Sequence, residues 1–120
     1  MPGVLEEVLI ALEMNLPLFL LGGFGGVTAS VCKIIQNKLR PIELSQEWQI
    51  ENNAGYKDFL DFCRTKDSHY TVNYDSIYET IKNADLNNGL SVDENNKLFN
   101  TPFIDDALQL VFKGLKKIYT

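Results

Sequence analysis

The segment Leu16-Pro17-Leu18-Phe19-Leu20-Leu21-Gly22-Gly23-Phe24-Gly25-Gly26 constrains the fold of this 120-residue chain more than any other. Leu16–Leu21 carries no polar side chain. It therefore reads as a strand apolar on both faces, the pattern of a parallel strand sandwiched between helices. Four glycines then fall within five positions, and Val27, Val31, Ile34 and Ile35 open a helical repeat. A strand, a glycine turn and a helix N-terminus would present unpaired N–H groups and let a ligand approach the backbone closely. Upstream, Val4, Leu5, Val8, Leu9 and Leu12 recur at helical spacing, with Pro2 in the first turn and Asn15 as the stop. Glu6 and Glu7 sit near the start of that helix, where its dipole favours carboxylates. The expectation is an α/β architecture with one strand, Leu16–Leu21, in a helix–strand–turn–helix piece over residues 1–40.

After Arg40-Pro41 the texture changes, and residues 41–120 read as a helical extension packed on the same core. Ser45 caps a short helix carrying Trp48. Tyr56, Phe59, Leu60 and Cys63 line one face of a helix from about Asn53 to Lys66. His69 to Asn73 reads as an extended linker, and Tyr74, Ile77, Tyr78 and Ile81 begin a further helix. Asn87-Asn88-Gly89 is a turn, and Ser91 followed by Glu94 fits a capping box. Thr101-Pro102 introduces the last helix, with Gly114 inside it pointing to close packing or a bend. One strand cannot make a sheet. The chain is therefore expected either to associate with copies of itself or to be completed by an upstream part of the same domain.

Composition narrows the function. Sixteen acidic residues against eleven basic ones give a net charge of −5, which opposes non-specific contact with nucleic acid or anionic membrane. The apolar run near Leu16 is far shorter than the ~20 residues of a membrane span. Cys32 and Cys63 form neither a disulfide framework nor a metal-ligand spacing, so both read as reduced packing residues of a cytoplasmic protein. No metal and no cofactor are expected.

The glycine turn matches neither G-x-G-x-x-G, since Thr28 stands at the third glycine counted from Gly23, nor a P-loop, since no Lys-Ser/Thr follows. The plain alternative is a tight turn that binds nothing. Four glycines nevertheless exceed what one turn requires, and Thr28 and Ser30 supply hydroxyls beside it. Asp85 to Asn96 fails as a calcium loop, with its glycine one place early and Asn96 where Glu belongs. His69, the only histidine, has no nucleophile near it and reads as structural. Trp48 and Tyr56, Tyr70, Tyr74 and Tyr78 read first as core and boundary residues, with stacking of a nucleobase as the alternative.

Pro2-Gly3-Val4-Leu5-Glu6-Glu7, a helix, and then the Leu16–Gly26 run resemble the second half of the SLOG superfamily, Rossmann-like domains that include LOG-type nucleotide phosphoribohydrolases and sensors of nucleotide-derived ligands. Leu86 to Ser91, Glu94-Asn95 and Leu98 to Thr101 resemble the helical C-terminal extension of defence-associated members. The resemblance implies the C-terminal portion of a Rossmann-like parallel sheet domain that senses a nucleotide or nucleotide-derived signal in bacterial defence or stress signalling. It places Gly3 and Glu7 on the glycine and glutamate of the LOG-type motif, whose threonine is replaced by Val4. The family's first phosphate loop and leading strands have no counterpart. The implied ligand residues are Gly3, Glu6, Glu7, Gly22, Gly23, Phe24, Gly25, Gly26 and Thr28, with Glu7 catalytic only if the chain is a hydrolase. The expected partners are a nucleotide-derived small molecule and either a second copy or an N-terminal part of the domain, with neither nucleic acid nor membrane. The alternatives are a LOG-type hydrolase and a structural subunit with an incomplete site.

Overall fold

A computed structural model describes residues 3–120, so the reading of Pro2 lies outside the described residues. Seven α-helices follow in order: α1 (Gly3–Glu13), α2 (Gly26–Asn37), α3 (Gln46–Asn52), α4 (Tyr56–Lys66), α5 (Tyr74–Lys82), α6 (Val92–Asn100) and α7 (Ile104–Ile118), with a 3-10 turn at Gly22–Phe24. Among the described residues there is no β-strand. The α/β expectation, with Leu16–Leu21 in a Rossmann-like parallel sheet, is therefore wrong: the domain is all-helical.

The reason lies in where the backbone bonds of Leu16–Leu21 go. The segment is extended, but its neighbour is the loop 84–90 rather than a second strand. Leu18 N–H donates to Leu86 O at 2.9 Å, and two side-chain amides add to it: Asn88 Nδ2 donates to Leu18 O and Asn87 Nδ2 to Asn15 O, just before the segment. A ladder needs a partner backbone that repeats the bond every second residue, and this loop gives it once. The side chains are not sandwiched either. Leu20 is buried at 3% exposure whereas Leu16 is 45% exposed. An apolar run of six residues reports burial; it does not report a sheet.

Local signals fix most helix ends. Asn15, at φ 53°, closes α1: its N–H donates to Leu12 O, and Leu16 N–H reaches back to Ala11 O. That is the paired-bond C-terminal motif that a left-handed residue makes possible. Ser45 Oγ accepts from Trp48 N–H to start α3, and Ser91 and Glu94 form the full reciprocal box at α6. α2 is the central helix. Val31, Cys32 and Ile34 pack with Leu5 and Val8 of α1, Ile77 and Ile81 of α5, and Phe99 of α6. Residues 1–40 and 41–120 thus contribute to a single core. Burial pushes the Cys32 thiol up to about 12, leaving it inert as a nucleophile at neutral pH.

The glycines locate the closest backbone crossings. A Cβ at Gly22 would strike Phe99 O and Cys32 Sγ, and one at Gly23 would overlap the carbonyl of Thr101. The 3-10 turn is thus seated on the C-terminal end of α6. Gly114 brings α7 against Asn88 O and the Phe19 ring, so close packing explains this glycine inside a helix.

Glu94 joins α6 to α7. It accepts from Lys113 and from Ser91 N–H, and the Lys113 bond, the larger influence, helps hold its carboxyl down to about 2. Since the folded value lies below the ordinary one, this contribution is present above about pH 4.5 and is lost as pH falls toward 2. Urea midpoints measured across that window should fall less steeply for Glu94→Gln than for the parent.

Candidate functional site

The start of α2 is open. Its N-cap, Gly25, has φ 83° and ψ −159°, a conformation essentially reserved for glycine, and no side chain caps the first turn. Gly26 also has positive φ, and nothing lies within 4 Å of where a Cβ would stand at either residue. The first N–H groups of α2 have no intrahelical acceptor and carry the positive end of its dipole.

Beside this turn lies a groove of about 520 Å³, lined by Gly25, Gly26, Val27, Ala29, Ser30, Lys33, Glu43, Leu44, Trp48 and Gln49. Helical spacing accounts for half of it, because Gly26, Ala29, Ser30 and Lys33 share one face of α2. The other wall is the 43–49 segment, where Gln49 Nε2 donates to Glu43 O at 2.9 Å and ties the loop to α3. Ser30 Oγ donates to Glu43 Oε1 at 2.6 Å across the groove. That bond, with smaller help from the Glu43 backbone N–H and the Lys33 cation, holds the Glu43 carboxyl below its usual range, so it is ionised at neutral pH. The groove therefore offers donors and one exposed cation for an anionic group, a carboxylate acceptor for hydroxyls, and the half-buried Trp48 as an apolar wall.

The residues expected from sequence fall in several places. Gly25 and Gly26 line the groove just described. Glu7 and Thr28 meet in a second groove of about 430 Å³, with Val4, Val8, Ala11 and Leu18–Leu21. Gly3 and Phe24 are exposed and line neither groove. Glu6 is also exposed and belongs to neither. Gly22 and Gly23 are taken up by the α6 crossing. Each of the four turn glycines thus has an architectural reason, two for close packing and two for positive φ, so their number is no longer evidence for a ligand. Lys33 and Glu43 were not anticipated. The i, i+3, i+4, i+7 spacing from Gly26 would have found Lys33, but nothing local to Pro41-Ile42-Glu43 marks Glu43 as its neighbour. Among the described residues no three His, Cys, Asp or Glu side chains cluster as metal ligands, and no helix is long and apolar enough to cross a membrane.

An open helix start, a lysine and a tryptophan around one groove describe a small all-helical domain with a recess suited to an anionic, partly aromatic molecule. The SLOG cluster2 family profile matches residues 1–98, and the chain belongs to that family. No curated protein and no solved structure matches the chain.

Proposed function

We propose that this protein is a ligand-binding module for a nucleotide or nucleotide-derived signal, and that it binds in the groove at the start of α2. A phosphate lies against the N–H groups at Gly26 and Val27 with Lys33 as counter-charge. The Glu43 carboxylate accepts from ribose hydroxyls, and the base rests on Trp48. The observation that carries this reading is the uncapped glycine start of α2 opening into the same groove as Lys33 and Trp48. Membership of the SLOG cluster2 family supports the choice of a nucleotide over other anions. A LOG-type hydrolysis led by Glu7 fits less well, because Glu7 lines the other groove, away from Gly25 and Gly26.

Trp48 is the only tryptophan of the chain and reports on its own groove. Titration with AMP, ADP and ADP-ribose should change its fluorescence saturably for at least one of them. Lys33→Gln should weaken that binding about tenfold or more, as loss of a charge-assisted contact of ~1.5–3 kcal/mol implies. Glu7→Ala should bind as the parent does. An unchanged signal up to millimolar nucleotide, or equal binding by Lys33→Gln, would overturn the assignment. Gly25 is a poor place for such a test, since a side chain at φ 83° would disturb the turn itself.

A further inference from the structure

α7 has an apolar arc wider than the core can cover. Ala107 and Gly114 are buried against the rest of the molecule, whereas Ile104, Leu108, Phe112 and Tyr119 on the neighbouring arc stand exposed, Phe112 at 65% and Tyr119 at 75%. At 3.6 residues per turn these four fall on one continuous stripe, with the half-buried Leu115 between them. The stripe offers on the order of 400–500 Å² of apolar surface, close to the apolar share of the ~800 Å² that each partner contributes to a standard interface.

The charges along the same helix say which occupant fits. Asp105 and Asp106 stand in the first turn, Lys116 and Lys117 in the last. Asp105 and Lys116 are eleven residues apart, close to three full turns, so both border the stripe on its Phe112 side. In a twofold antiparallel pair like edges face each other, and the first turn of one helix lies beside the last turn of the other. Asp105 of each copy then meets Lys116 of its mate, twice over. In a parallel pair the unlike edges would face, leaving Asp105 and Lys116 on the Phe112 edge opposite the mate's Val111 and Ile118 edge, with no reciprocal ion pair.

We propose that α7 is a self-association surface, on which two copies of this chain pair antiparallel through the Ile104–Leu108–Phe112–Tyr119 stripe with reciprocal Asp105–Lys116 contacts. The apolar stripe supplies the affinity. The ion pairs, exposed and individually weak, set the orientation. The proposal is independent of the nucleotide groove, whose residues lie on other elements.

Sedimentation equilibrium of the whole chain, from micromolar to sub-millimolar concentration, tests it. The parent should show a monomer–dimer equilibrium. The double variant Leu108→Glu/Phe112→Glu replaces exposed residues only, so its monomer should keep the parent's circular dichroism while dimerising about a hundredfold more weakly or worse. Asp105→Lys and Lys116→Asp should each weaken the dimer about tenfold, and the combination Asp105→Lys/Lys116→Asp should return it near the parent. A parent that stays monomeric throughout overturns the proposal and leaves the stripe to a different partner. So does a dimer indifferent to Leu108→Glu/Phe112→Glu, or one that the combined charge reversal fails to restore.

Discussion

Gly23→Ala should be the most damaging small substitution in this protein, lowering stability by at least about 3 kcal/mol. Any Cβ at this position overlaps the main-chain carbonyl of Thr101 and crowds Pro102 N, so the obstacle is backbone and cannot rotate away. Overpacking a core costs ~1–3 kcal/mol where side chains can adjust, and more where they cannot. Either the 3-10 turn lifts off α6, or the α6–α7 connection shifts. For a domain of this size 3 kcal/mol corresponds to roughly 10 °C or more in Tm. Gly3→Ala is the control. Nothing lies within 4 Å of its Cβ position and it stands in the first turn of α1, so its midpoint should stay within ~0.5 kcal/mol of the parent. Urea unfolding of the two variants separates a packing glycine from a permissive one.

Asn88→Ala should cost nearly as much, about 3 kcal/mol, by a different route. Asn88 is 2% exposed and uses its whole amide. Its Nδ2 donates to Leu18 O and to Asn95 Oδ1, while its Oδ1 accepts from Leu90 N–H and, more weakly, from Asn95 Nδ2. The one side chain pins the extended segment, the 84–90 loop and α6 together. Truncation orphans several half-buried polar groups at once, each worth ~1–3 kcal/mol when left unpaired. Because Asn95 is a reciprocal partner, Asn95→Ala should cost less, and the double variant should cost clearly less than the sum of the two. Strict additivity in urea denaturation would show that the amide pair is not the coupling element.

These two residues also show where the sequence was readable. Features closed within one helical turn could be read directly: the Ser91–Glu94 box, the Ser45 cap and Asn15 as a stop. Features that depend on what arrives from elsewhere could not. The apolarity of Leu16–Leu21 was visible, but its neighbour is a loop carrying Asn87 and Asn88, which gives one backbone bond and side-chain amide contacts in place of a strand ladder. The glycine turn was visible, but half its glycines answer to Phe99 and Thr101, more than seventy residues downstream. In the candidate site, Gly25 and Gly26 stood out for their conformational freedom. Glu43 did not, because its role depends on the Ser30 hydroxyl that reaches it across the groove. Glu7 and Thr28 came together as a pair, in a different groove from the turn they were expected to serve.

The central claim is the location of the ligand, and amide chemical shifts of the labelled protein test it residue by residue. On addition of the nucleotide that changes Trp48 fluorescence, the account predicts saturable shifts at Gly25, Gly26, Val27 and Lys33 and at the Trp48 indole N–H. Val4, Glu7 and Ala11, along the second groove, should stay in place. Saturable shifts centred on Glu7, Ala11 and Leu18 instead, or none at the start of α2, would contradict it.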